Sequence, residues 1–205
     1  MPGRNIRKVD VADSYYHVYA RGVNKQKIFL DTDDYKFFLS LLKRYLSRSE
    51  ATTRRGAQYP KLYEDIELLA YCLMTNHFHL LVYQISEQGM MQLMRRVMTS
   101  YSGYFNRKYS RRGPLFESRY RASRINNETY LLHISRYIHL NPTDWRGYNY
   151  SSLRSYLDTA PPDWLTTIRV TGLFSSRNEY LQFLESYEQN KTELDIIKHV
   201  LANDD

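Results

Sequence analysis

The segment "LMTNHFHLLV" (73–82) places two histidines, His77 and His79, one residue apart inside an apolar run. On a β-strand such residues project from the same face, with Cα atoms about 6–7 Å apart, so the two imidazoles could reach one metal ion. Phe78, between them, would pack on the opposite face. From the spacing alone, two ordinary polar side chains on a strand remain the alternative.

Besides two histidines, a metal-dependent nuclease needs a nucleophile and a third metal ligand. A second segment, "SRYIHLNP" (135–142), could supply both. Tyr137 and Asn141 are four residues apart, so on a helix they share a face, one as a potential nucleophile and the other as a potential third ligand. Asn141 precedes Pro142 and is therefore expected at the helix end. The alternative is that Tyr137 packs at a helix edge and that Asn141 caps the helix.

The charge of the chain is positive and unevenly distributed. The chain has 29 Lys and Arg residues against 22 Asp and Glu residues, and Glu117 is the only acidic residue between Arg95 and Arg124. Several of the 20 tyrosines lie among these basic residues, a mixture that suits a strand of nucleic acid with unpaired bases. A solvated basic face without a partner is the alternative.

The elements that must position these residues follow from periodicity and turn signals. Strands are predicted at 14–22, 65–74, 77–84 and within 115–125, with "KIFL" (27–30) as a short hairpin partner, and helices at 31–46, 88–107 and 127–142. This succession predicts an α+β fold, an antiparallel sheet of about four to five strands with helices packed on one face. The arrangement is close to a ferredoxin-like or RRM-like fold.

Other features limit the class of protein. No run of about 18 apolar residues exists, so no membrane association is expected, and the charged start "MPGRNIRKVD" has no apolar stretch typical of a secretory signal. The single cysteine, Cys72, forms no internal disulfide. A cytoplasmic protein is expected.

Taken together, four segments resemble a known family, the single-tyrosine HUH transposases of the IS200 type, and most of all the REP-associated tyrosine transposases. The segments are "YYHVYARGVNKQKIFLDTDDYKFFL", "AYCLMTNHFHLLV", "YSGYFNRKYSRRGPLFESRYRAS" and "YLLHISRYIHLNP", and they occur in the family's order. Thr75 stands where the family usually has proline. The resemblance covers roughly residues 14 to 157 and implies an HUH single-tyrosine domain over residues 1–157. For the rest, a C-terminal helical extension over 158–205, the residue pattern predicts two short helices, "NEYLQFLESY" and "TELDIIKHVL".

By this resemblance, His77 and His79 are the metal ligands, Asn141 is the third ligand and Tyr137 is the nucleophile. The reaction implied is cleavage of single-stranded, hairpin-forming DNA through a covalent 5′-phosphotyrosine, by a monomer or a homodimer. Two imidazoles and an amide suggest that the site takes Mg²⁺ or Mn²⁺, with Mn²⁺ accepted at least as well.

The candidate DNA-binding residues fall into two groups. Phosphate contacts are expected from Arg119, Arg121 and Arg136. Residues expected to bind the strand or an adjoining hairpin are Arg95, Arg96, Arg111 and Arg112, and Arg107 and Lys108 are further candidates for DNA binding.

Two other functions compete with this interpretation. A non-catalytic, RRM-like protein that binds single-stranded nucleic acid would explain the charge and the tyrosines. A hydrolytic phosphoesterase would keep the metal and use water in place of Tyr137. Loss of a covalent DNA adduct in a Tyr137→Phe variant distinguishes both from the transposase.

Overall fold

The sheet is antiparallel and four-stranded, with strands in the order β2-β3-β1-β4. The computed structural model describes residues 10–49, 52 and 55–189 of the chain. The strands are β1 (Ser14–Arg21), β2 (Ile66–Met74), β3 (His77–Gln84) and β4 (Arg121–Ile125). With one helix after β1 and one after β3, this is the ferredoxin-like arrangement that the sequence predicts. β3 and β1 occupy the centre, so the two histidines lie on a central strand.

Helices cover both faces of the sheet. They are α1 (Thr32–Leu46), α2 (Gly89–Lys108), α3 (Glu128–His139), α4 (Leu153–Leu157), α5 (Ile168–Thr171) and α6 (Arg177–Glu185), with 3-10 turns at Val23–Lys25 and Ser186–Gln189. Phe78, Leu80 and Val82 of β3 pack with α1 and α2, whereas Leu81 packs with α3 to α6. The prediction of helices on one face only is therefore wrong, because the apolar residues of the central strands point to both faces and both must be covered.

A network of ion pairs joins the start of α1 to the end of α2. Asp31 caps α1 by accepting hydrogen bonds from the backbone amides of Asp33 and Asp34. Lys108 Nζ lies 2.8 Å from Asp31 Oδ1 and 2.9 Å from Asp34 Oδ1, and the Asp34 side chain is fully buried. Lys108 therefore neutralises two helix-capping carboxylates and holds the two helices together.

Several predicted element boundaries differ from the structure. Residues 27–30 form no strand, because the amides of Ile28 and Phe29 instead donate to the Thr75 carbonyl in the turn between β2 and β3. β4 occupies only the end of its predicted segment, α3 ends at His139 before the proline, and α4 and α5 were not predicted. The predicted helix at 192–201 lies outside the described residues.

The described part of the C-terminal extension packs into the core of the sheet. Val170, Tyr180 and Leu184 are buried among residues of α3 and β2. The division of the chain after residue 157 stays a prediction, and the contacts show that α5 packs on β2 and α3, and that α6 packs on α3 and α4. Within the described residues, no helix combines the length and the apolar character that a membrane span requires.

A buried polar network connects α3 to α6 and β2 through His139. The imidazole Nδ1 lies 2.7 Å from the Tyr180 hydroxyl, and Nε2 lies 2.8 Å from Ser152 Oγ. Ser152 Oγ also accepts a hydrogen bond from the backbone amide of Tyr71 in β2. Burial lowers the pKa of His139 from 6.5 to about 3, so the ring is neutral in the folded protein at neutral pH.

This shift predicts a loss of stability in mild acid. The unfolded chain takes up a proton at His139 near pH 6.5, whereas the folded chain resists protonation down to about pH 3. The contribution is therefore fully present above about pH 6.5 and falls by ~1.4 kcal/mol per pH unit below it. Chemical denaturation between pH 7.5 and pH 5 measures the free energy of unfolding. His139→Gln should be less stable at pH 7.5 yet lose stability less steeply, and parallel curves for the two proteins would contradict the assignment.

Candidate active site

The antiparallel pairing of β1 with β3 brings the candidate residues together. The register pairs Arg21 with His77, Tyr19 with His79 and His17 with Leu81. Residues directly opposite each other project to the same face, here the face covered by α3. His77 and His79 share this face, as their spacing predicts, while Phe78 is buried on the other.

Hydrogen bonds define the tautomer of His77. The Asn76 amide nitrogen donates to the Lys25 carbonyl, so its oxygen faces His77 Nδ1 at 2.6 Å. An amide oxygen only accepts, so Nδ1 carries the hydrogen and Nε2 of the neutral ring keeps its lone pair. That Nε2 lies 3.3 Å from Asn141 Oδ1. Two lone pairs thus face one another, an arrangement that a cation between them would stabilise.

Asn141 also contacts the candidate nucleophile. Burial raises the pKa of Tyr137 above 10, and a hydrogen bond from Asn141 acts in the opposite direction. The oxygen of Asn141 faces His77 Nε2, so the same side chain is close to a candidate ligand and to the phenol. Asn141 lies two residues beyond the end of α3, which agrees with its predicted place at the helix end.

His79 makes a contact that the sequence analysis did not identify. Its Nδ1 lies 2.9 Å from Nε2 of His17 on β1, and the two rings stack with centroids 5.0 Å apart. Nδ1 of His17 is buried and has no hydrogen-bond partner in the described part of the chain. The signal in the sequence was the position of His17 in the middle of a predicted strand, but nothing local indicated that β1 would pair with β3.

The three imidazoles of the site are neutral. Burial lowers the pKa of His17 to about 3 and that of His79 well below 6.5, the latter reinforced by His17 and His77. Burial also lowers the pKa of His77. Neutral imidazole is the form that binds a metal ion.

Tyr137 lies edge-on to the two buried histidines. Its ring centroid is 5.2 Å from that of His79 and 5.9 Å from that of His17. Its side chain is half-buried. The phenol therefore lies beside the candidate ligand His79 and its neighbour His17 on the same face of the sheet.

The donor set fits a divalent cation. His77 Nε2 and Asn141 Oδ1 face each other, and His79 is next to them on the strand, so the three donors leave positions for substrate oxygens. Cys72, which pairs with His79 on β2, adds no thiolate because burial raises its pKa. Among the described residues, no group of three or more His, Cys, Asp or Glu side chains is placed to hold a metal, so a metal here depends on the amide of Asn141.

The predicted DNA-binding residues do not lie together. Arg95, Arg96 and Arg107 belong to α2, on the face of the sheet opposite to the histidines. Lys108 is held by Asp31 and Asp34. Arg121 lies across from Tyr19 on the histidine face.

The remaining basic residues surround β4 and the loop that precedes it. Arg112 and Arg119 are exposed. Arg111 donates to Asn106 and to the Pro114 carbonyl, which braces the loop after α2. Apart from Arg136, whose burial is described next, a role of these residues in DNA binding stays a prediction.

Arg136 is placed differently from its prediction. Its side chain is 2% exposed, and its guanidinium donates to the Phe183 carbonyl and to His133 Nδ1. The guanidinium carbon also lies 4.4 Å from the centroid of the Phe183 ring. The prediction that Arg136 contacts a phosphate is wrong, because α6 covers the residue. Periodicity could not reveal this, since α6 is remote in sequence.

This placement predicts that Arg136 stabilises the fold. Arg136→Gln should lower the free energy of unfolding by about 1–3 kcal/mol, because it removes charge-assisted hydrogen bonds in a buried location. Arg95→Gln, at an exposed position of α2, should change it by less than about 0.5 kcal/mol. Urea denaturation measures both. Equal stabilities for the two variants would refute the structural role.

Comparisons with known proteins agree with this fold. The solved structure of a REP-associated tyrosine transposase bound to a REP hairpin matches with a TM-score of 0.53 and 16% identity, covering 78% of this chain and 90% of that one. At this identity the match shows the shared fold. The search of curated proteins found no match.

A family model identifies the family of the chain. Residues 10–141, from just before β1 to Asn141, match the model described as transposase, IS200-like. The chain belongs to the IS200-like transposase family of DNA transposases.

Proposed function

We propose that this transposase cleaves and rejoins single-stranded DNA through a covalent bond to Tyr137. The observation that carries the proposal is the proximity of the candidate nucleophile to the candidate ligands. The ring of Tyr137 is centred 5.2 Å from that of His79, and Asn141 Oδ1, four residues further along the chain, lies 3.3 Å from His77 Nε2. Neither competing function requires this arrangement.

The proposed reaction is a transesterification at phosphorus. The phenolic oxygen of Tyr137 forms a bond to the scissile phosphorus and loses its proton. The bond from phosphorus to the 3′-oxygen breaks, and that oxygen leaves with the electron pair and becomes a 3′-hydroxyl. The energy of the phosphodiester is kept in the phosphotyrosine, so a second 3′-hydroxyl can rejoin the strand without ATP.

A divalent cation would be held by His77 Nε2, Asn141 Oδ1 and His79. When bound, it supplies polarisation of the scissile phosphate. The protein contributes neutral imidazoles, because burial keeps His77 and His79 unprotonated. Asn76 orients the ligand nitrogen of His77, and Asn141 favours the phenolate of Tyr137 against the effect of burial.

Hairpin-forming DNA is the proposed substrate. The protein of similar fold was solved with a REP hairpin bound, and this chain carries exposed arginines near β4, among them Arg112 and Arg119. The convergence of His77, Tyr137 and Asn141 argues against an RRM-like binding module, in which their proximity would be a coincidence.

The proposed reaction predicts a covalent intermediate. A labelled DNA hairpin with single-stranded flanks, incubated with Mn²⁺, should give a protein–DNA adduct that survives denaturing electrophoresis. Tyr137→Phe should abolish the adduct and the cleavage, because the nucleophilic oxygen is gone. Tyr130→Phe, in the first turn of the same helix, is the matched control and should retain both. Cleavage that persists in Tyr137→Phe would indicate hydrolysis by water, and binding without cleavage by the wild type would indicate a binding module.

The second prediction concerns the metal. Cleavage with Mn²⁺ should equal or exceed cleavage with Mg²⁺, because imidazole nitrogen suits a transition metal better than it suits Mg²⁺. Mn²⁺ binding, followed by electron paramagnetic resonance without DNA, should weaken by at least about 10-fold in Asn76→Ala, which frees the orientation of His77. Activity in Mg²⁺ with none in Mn²⁺ would count against this ligand set.

A further inference from the structure

We propose that Arg21, the last residue of β1, is a further catalytic residue that binds a non-bridging oxygen of the phosphate attacked by Tyr137. This inference rests on the function proposed above. It adds to the metal a second cation, which the protein itself supplies.

The register of the sheet places Arg21 at the site. Arg21 is directly opposite His77 across the β1–β3 pair, so the two Cβ atoms are about 4.5–5.5 Å apart on the same face. Tyr19 and His17, two and four residues earlier on the same strand, already contact the ring of His79. Arg21 continues this row to the edge of the site that is open to solvent.

The side chain of Arg21 is available for a ligand. It is exposed, and its guanidinium has no hydrogen bond or carboxylate partner within the described residues. Two other basic residues, in contrast, already have carboxylate partners. Lys108 is paired with Asp31 and Asp34, and Arg169 is paired with Glu67.

The position of Arg21 brings its charge to the reacting groups. It is opposite His77 on β3, and the ring of Tyr137 lies beside His79 on the same face of the sheet. A cation at this place is close to the point where an attacked phosphate must lie. A planar guanidinium matches the oxygens of a phosphate, and a fixed cation is most valuable where negative charge increases in the transition state.

Arg121, on β4, is another arginine on this face, across from Tyr19. Its side chain is half-buried and already engaged. Arg21 is therefore better suited to take a phosphate oxygen.

The test compares Arg21→Gln and Arg21→Lys with the wild type and with Arg124→Gln. Arg124 is the matched control because it is exposed on β4 and paired with Tyr16, on the opposite face of the sheet. Adduct formation is measured in single turnovers with Mn²⁺ and saturating hairpin DNA, and affinity is measured separately. Arg21→Gln should lower the rate at saturation by about 100-fold, with a smaller change in affinity and an unchanged thermal midpoint. Arg21→Lys should recover part of the rate, and Arg124→Gln should retain it.

A substrate with a methylphosphonate at the cleaved linkage makes the test specific for the phosphate contact. This linkage lacks the charged oxygen, so Arg21→Gln should lower its rate much less than it lowers the rate on the ordinary phosphodiester. An equal loss on both substrates, or a variant with weaker affinity and a normal rate at saturation, would overturn the role of Arg21. If the wild type itself forms no adduct, the proposed function fails first. A wild-type adduct with full activity in Arg21→Gln refutes only the present inference.

Discussion

The pairing of β1 with β3 is the constraint on which the site depends. Its register sets His17 against His79 at 2.9 Å and places Arg21 opposite His77. Because side chains alternate along a strand, a slip of one residue would turn the histidines of β3 away from α3 and towards the apolar core under α1 and α2. Phe78, Leu80 and Val82 prevent such a slip, because each of them would leave that core.

Burial determines which side chains of the site are charged. The imidazoles lie in the interior and are held neutral, so they can offer lone pairs, whereas the arginines that remain charged lie at the rim or are covered by carbonyls and aromatic rings. Asn141 mediates between the two regions. It is uncharged, yet its oxygen faces a ligand nitrogen, and its side chain lowers the pKa of Tyr137 against the effect of burial.

The sequence predicts those parts of the site that depend on local periodicity. The shared face of His77 and His79 follows from strand alternation, and the proximity of Tyr137 and Asn141 follows from helical spacing. The contacts of His17 and Arg21 could not be predicted, because they depend on which strands become neighbours and in what register. The burial of Arg136 depends on α6, more than forty residues later in the chain. In β2, an irregularity between Leu68 and Ala70 changes which residues face α3, and no composition signal marks it.

The partners of α3 also bear on how small a working transposase of this kind can be. The segment that matches the family ends at Asn141, yet the groups that satisfy His139 and Arg136 come from Ser152, Tyr180 and Phe183. A chain trimmed to the matched segment would retain every proposed reacting group. It would nevertheless remove these partners of His139 and Arg136 on α3, the helix that carries Tyr137. The segment that matches the family model is therefore shorter than the segment that the fold needs. A relative without this extension must cover the same helix with other residues.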